Sequence, residues 1–207
     1  MSKVQQVIRY LRAHKVLTVF VALLLAVGTH NAIEALTPAK EIALIIGEPW
    51  DDMQARSSAK IGDDIPDEIW YHAPEELAYL RFADPKHEFV TPPAKYFTVT
   101  FNRGHVFSVR MSPQLEPLPL QEALDIVLDL QNQWRDKGWE LRKPLEFPAY
   151  ENNEVWVQAL KNCSAYSTYW QAVPRYQLMI GVSCFESSGF FKKSGYLVTI
   201  SMGKYHP

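Results

Sequence analysis

The chain has 207 residues, 47% of them hydrophobic, and its 21 Lys and Arg against 23 Asp and Glu leave a formal net charge of −2. Such a balance excludes the broad basic surface that a phosphate backbone requires, so nucleic acid is not an expected partner. The length suits one domain with an adequate core once a targeting segment is set aside.

Ahead of Val16 the chain carries Lys3, Arg9, Arg12 and Lys15 and no acid, and it then runs into the apolar stretch Val16 to Val27, broken only by Thr18. That is the layout of an export signal, with the cations held in the cytoplasm and the following residues carried across the bilayer. The apolar stretch reaches roughly 18 Å as a helix against a hydrocarbon core of about 30 Å, which favours cleavage. A helix continued through His30, Asn31 and Ile33 would instead serve as an anchor, and both readings stay open. Residues 1–37 are therefore read as a signal or membrane-anchor segment. Residues 38–207 are read as a single domain on the far side of the membrane.

Ala39 to Ile46 has helical composition, Gly47-Glu48-Pro49 interrupts it, and a second helix is expected around Trp50 to Ala59. The acidic stretch Asp63 to Glu76 reads as loop with one strand near Ile69 to Tyr71. Tyr96 to Phe101 and His105 to Arg110 alternate with period two and predict a hairpin. A three-residue loop around Gly104 would set Phe97 opposite Val109 and Val99 opposite Phe107, and it is preferred to a two-residue loop, which sets Val99 against Ser108. Leu120, Ala123, Leu124, Val127, Leu130 and Trp134 share one helical face, ended by Gly138. Lys143 to Asn153 reads as loop. Ser164 to Ala172, Tyr176 to Phe185 and Tyr196 to Met202 are expected to be consecutive antiparallel strands. The fold class expected is α+β: an antiparallel sheet of about five or six strands with helices packed on one face, preceded by the N-terminal membrane-targeting helix.

Cys163 and Cys184 are the only cysteines, and an oxidising compartment makes a disulfide reasonable. A register setting Cys163 opposite Cys184 competes with one that pairs Trp170 with Leu178 and Tyr166 with Val182. The second packs the aromatics better but turns the cysteines to opposite faces, unless residue 163 leaves the strand early.

The common catalytic and phosphate-binding motifs do not occur, no catalytic residue is assigned, and neither a cofactor nor a small-molecule substrate is expected. His72 and His87 are the histidines placed for chemistry, with Asp63 or Asp64 as partner in a hydrolase reading, although a solvated loop role suits both. The carboxylates around Asp63 and Asp64 match no calcium loop, and no metal site is assigned. They read as a solvated acidic surface or a docking face for a basic partner. Phe190, Phe191, Lys192 and Lys193 lie between flexible residues and are candidates for contact with an acidic or apolar partner, or for folding back on the sheet edge.

Ile46 to Ala59, with Phe89-Val90-Thr91-Pro92 before the hairpin and Val109-Arg110-Met111-Ser112-Pro113 after it, resembles a group of proteobacterial envelope proteins found beside type VI secretion lipase effectors. The resemblance implies an immunity protein that binds an incoming secreted toxin in the periplasm and blocks it sterically. The rival reading is an envelope assembly or structural factor held at the inner membrane.

Overall fold

In the computed structural model the described residues are Val19, 39–164, 166–186 and 194–206. The expected targeting helix therefore lies outside them, Val19 apart, and among the described residues no helix is long and apolar enough to cross a membrane.

Period-two burial builds the larger of two sheets. Its seven antiparallel strands run in the order β2 (Ile69–His72), β5 (Tyr96–Asn102), β6 (His105–Ser112), β10 (Ser194–Lys204), β9 (Tyr176–Glu186), β8 (Thr168–Ala172), β7 (Glu140–Leu141). A smaller sheet joins β1 (Lys40–Leu44) in parallel to β3 (Ala78–Phe82), which pairs antiparallel with β4 (Phe89–Val90). The three helices among the described residues are α1 (Trp50–Arg56), α2 (Leu120–Asp136) and α3 (Glu154–Lys161). The class is α+β as expected. The main sheet has seven strands rather than five or six, and a second sheet lies beside it.

One face of the large sheet is the core. Phe97, Val99, Phe101, Val109, Trp170, Leu178, Ile180 and Ile200 point into it, and α2 covers it with Leu124, Val127, Leu130 and Trp134, all fully buried. Each such side chain contributes about 1.5–3 kcal/mol through the apolar surface it removes from water. Trp134 meets Trp170 with ring centroids 5.6 Å apart, and Phe82 of the small sheet meets Tyr176 edge-on at 5.0 Å, so both layers share the core.

The segment Ala39–Ile46 is corrected from helix to strand. Its Ala, Lys, Glu and Leu favour a helix locally, but Ile42, Ala43 and Leu44 are all buried, and β3 pairs with β1 along its whole length. The other edge of β1 is closed by Ser57 and Ser58, whose hydroxyls accept from the Ala43 and Glu41 amides at 2.9 and 2.8 Å. Tertiary pairing outweighs the small propensity differences.

The β5–β6 hairpin is also corrected. Asn102 pairs with His105 across a two-residue loop in which Arg103 and Gly104 both have positive φ, 50° and 73°. Val106 pairs with Phe101 and Ser108 with Thr100, which leaves Phe107 as the extra residue of a β-bulge. The bulge brings Val99 opposite Val109, and Phe107, expected inside, is exposed.

The cysteine pair forms through the exception foreseen for it. Trp170 does pair with Leu178, and Cys163 lies ahead of β8, just past the end of α3, with φ of 54° and its Cα 5.5 Å from that of Cys184. The bond ties α3 to β9. Helix α3 itself follows the expected loop and is capped by Asn153, whose side chain accepts from the Trp156 amide.

Glutamine side chains hold the irregular segments. The buried Gln131 donates to the Tyr150 carbonyl at 3.0 Å and accepts from the Tyr150 amide at 2.9 Å. Gln114 accepts from the Val198 amide and donates to the Glu116 and Tyr196 carbonyls. Gln133 makes the same two-point contact with Val90, and Gln54 bridges Ile61 and Ala59.

Replacing Gln131 by Met keeps its volume but strands the N–H and C=O of Tyr150, which lies at 1% exposure. We expect a loss of about 2 kcal/mol in urea unfolding, larger than for Gln121→Met on the exposed face of α2. Removing the disulfide as Cys163→Ser with Cys184→Ser opens a loop closed across a sequence separation of 21. That variant should lose up to about 3 kcal/mol, read as a lowered urea midpoint that wild type reproduces only when reduced.

Candidate binding surface

The face of the seven-stranded sheet opposite the core carries the alternate residues of every strand, and register places them in rows. Tyr71, Thr100, Ser108, Gly203, Gln177, Gln171 and Glu140 form one row, and Thr98, Arg110, Ser201, Met179 and Tyr169 form the next. Among the described outward positions of the ladder, Arg110 and Glu140 are the charged side chains. The others are hydroxyls, amides, glycines, the aliphatic Ile69 and Leu197, Met179 and a set of aromatics.

Several of those apolar groups stand well clear of the core. Ile69 is 69% exposed, Tyr71 72% and Tyr96 61%. Phe107 joins them because the two-residue turn sets it on the outward side of the ladder, next after the inward pair Phe101 and Val106, and the bulge then returns Val109 to the core. Open antiparallel faces are ordinarily polar, and hydroxyl and amide rows fit that rule. Depletion of charge together with Tyr, Phe, Met and Arg is instead the composition of a protein-binding patch.

A cavity of 360 Å³ opens on this face. Phe107, Tyr169 and Met179 contribute apolar wall, while Ser108, Arg142, Gln177, Ser201 and His206 contribute polar groups. Arg142 continues the β7 ladder, donating its amide to the Tyr169 carbonyl at 2.7 Å, and the Tyr169 ring is backed edge-on by Phe147 at 4.8 Å.

The residues singled out from sequence fall in different places. Asp63 is exposed, whereas Asp64 is half-buried against the β5–β6 turn, where a Cβ on Gly104 would lie 3.1 Å from its Oδ2. Asp64 Oδ1 is buried and has no hydrogen-bond partner among the described residues. Phe190, Phe191, Lys192 and Lys193 lie outside the described residues. His72 packs edge-on against Trp70 and closely on Gly62, yet no hydrogen bond joins it to Asp63 or Asp64. Among the described residues no group of three His, Cys, Asp or Glu is placed to hold a metal ion.

His87 is not a solvated loop residue, which corrects that reading. It is 4% exposed, its Nδ1 lies 3.0 Å from the Lys137 carbonyl, and its ring sits edge-on to Trp139 and Tyr176. Its amide donates to the carbonyl of the buried Asp84, whose carboxylate accepts from the Tyr176 hydroxyl at 2.8 Å, the Arg175 guanidinium at 2.8 Å and the Lys86 amide at 3.0 Å. Burial opposes ionisation of Asp84, but those donors outweigh it and hold the carboxyl below its ordinary value. Burial, and next the bond to Asp84, push the Tyr176 phenol up. The cluster fastens the β3–β4 connection to the β8–β9 hairpin.

Comparison with family models, curated proteins and solved structures finds no match to this chain. The stretch Ile46–Ala59, which carries part of the resemblance noted from sequence, is held to the fold at several points. Glu48 accepts from the Ile45 amide and pairs with Arg56, the Trp50 indole donates to the Gly62 carbonyl, and Met53 is fully buried. Backbone bonds from Gly47 to Val106, from Val106 to Glu48 and from Trp50 to Gly104 lock it to the hairpin.

Because the folded Asp84 carboxyl has a depressed pKa, its stabilisation is complete above the unfolded value of about 4 and is lost as pH falls through the lower folded value. Asp84→Asn should therefore be less stable than wild type at neutral pH, and the two should converge on acidification when urea midpoints are followed against pH. Parallel curves would show that the carboxylate carries no such linkage.

Proposed function

We propose that residues 38–207 form a non-enzymatic protein-binding module that works in the periplasm, released by signal cleavage or held at the inner membrane by the N-terminal segment. The observation that carries this reading is the open sheet face, where charge is depleted and Tyr71, Tyr96, Phe107 and Met179 are presented on paired strands. Rigid aromatic side chains on a sheet give contact area with little ordering cost, which is what a docking surface needs.

Two further observations support the compartment. The N-terminal cations and the apolar stretch have the layout of an export signal, and the bonded Cys163 and Cys184 are compatible with an oxidising location. Within this reading the narrower function is that of an immunity protein. The partner is then a secreted, lipase-like type VI toxin, blocked by occlusion, with no reactive residue needed on this side. The acidic surface at Asp63 and Asp64 and the connection Phe190 to Lys193 remain additional contact candidates on the same domain.

The test is affinity capture with the detergent-solubilised full chain, co-expressed with the product of the adjacent gene. Wild type should retain that product and protect the producing cell. The pair Tyr71→Ala with Phe107→Ala should weaken capture by about tenfold or more while the thermal midpoint stays put, since both side chains are exposed. Recovery of envelope machinery without a toxin would replace the immunity reading by that of an assembly factor. Undiminished capture by the double variant would move the docking surface elsewhere.

A further inference from the structure

The cavity on the open face has a specific chemical bias. Its walls are apolar on one side, at Phe107, Tyr169 and Met179, and no carboxylate is among the described residues that line it. Its polar groups are the Arg142 guanidinium, which only donates, the hydroxyls of Ser108 and Ser201, which can donate or accept, His206 and Gln177. Arg142 is half-buried, and its side chain has one long contact, from Nη1 to the His206 carbonyl at 3.5 Å. It makes no ion pair among the described residues. Glu140 stands on the same face two residues earlier but does not line the cavity. Gln177, the remaining amide, accepts from the His206 amide through Oε1, which leaves its NH₂ end as a further donor.

A guanidinium offers five N–H donors in a fixed fork matched to a carboxylate. Among the described residues most of that fork is unused, on a backbone fixed by the bond to Tyr169, inside a pocket whose other polar groups can also donate. From this we infer that the cavity is a carboxylate-recognition site, and that its occupant is an acidic side chain of the docked protein, with the carboxylate on Arg142 and the aliphatic stem against Met179 and Tyr169. The inference rests on the docking role proposed for this face and names the chemistry by which the face would select its partner. Charge complementarity decides the occupant: a neutral or basic side chain would leave Arg142 desolvated and unpaired beneath the partner.

The test has two arms, both on the full chain in detergent. In the first, N-acetylglutamate amide and N-acetylglutamine amide are titrated separately while the side-chain N–H signal of Arg142 is followed by NMR, its identity fixed by loss in Arg142→Gln. The acid probe should shift the signal saturably and bind at least about tenfold more tightly than the amide probe. Arg142→Gln should abolish that preference without moving the thermal midpoint, and Arg142→Lys should restore it in part, because an ammonium lacks the fork. Equal responses to the two probes, or none, would overturn the site. In the second arm Arg142→Gln and saturating acid probe should each lower partner capture by about tenfold. Acid binding that leaves capture untouched would overturn the assignment to a partner side chain and leave a small organic acid as occupant. Failure of wild type to capture any partner would count against the docking role, while the first arm would still decide the chemistry of the cavity.

Discussion

A chain that covers a sheet with long irregular connections must satisfy the backbone N–H and C=O groups it buries, and in this protein the primary amides of glutamine meet that requirement. A glutamine side chain presents one acceptor and two donors at the spacing of a peptide group, so it substitutes for a missing neighbouring strand. Gln131 does this for Tyr150 beneath α2, and Gln114 for Val198 where β10 runs past the end of β6. Gln133 does it for Val90 on β4. The position of α2 over the sheet, the course of the 143–153 segment and the seating of the small sheet all depend on these contacts. Tyr150, once held, accepts from the Val182 amide through its hydroxyl and donates to the Tyr166 carbonyl, and burial pushes its phenol up to about 12.

Much of the architecture was legible because it follows from burial periodicity. The α2 face, the β5 and β6 alternation and the last two strands emerge where expected, and β8 over the second half of the stretch expected for it, since each buries one side against a common core. The failures have distinct physical causes. β1 reads as a helix because its residues favour one locally, and only the distant β3 and the two serines after α1 make an extended chain the better solution. The hairpin misreading comes from assuming a regular ladder: a bulge restores inward pairing after a two-residue turn, and alternation alone does not reveal the inserted residue. Helix α3 is short and is set by its Asn153 cap and by packing of Trp156 on Tyr150.

Less of the candidate surface was visible. Tyr71, Tyr96 and Tyr169 appear in sequence as ordinary strand residues, and their common face emerges only after seven strands are placed in order. Arg142 follows a two-residue strand that gives no periodic signal, and its relation to Ser201 and Met179 spans three strand pairings. Charge depletion in the alternate residues of strands already assigned would have been the usable cue. The histidines show the opposite error. Composition cannot tell a solvated His from one like His87, buried between Trp139 and Tyr176, because that distinction is made entirely by tertiary neighbours.

The strand order of the large sheet also bears on how the molecule behaves at high concentration. Its longest strands, β9 and β10 with 11 residues each, sit in the interior of the order, whereas the sheet ends in β2 with 4 residues and β7 with 2. An unpaired strand edge is a template on which another chain can add hydrogen bonds, and its hazard grows with its length and flatness. By tapering at both ends the sheet offers little backbone to a neighbouring copy, even though its open face is broad and aromatic. A sheet so ordered can expose an aromatic face without exposing the ladder that would turn contact between copies into aggregation.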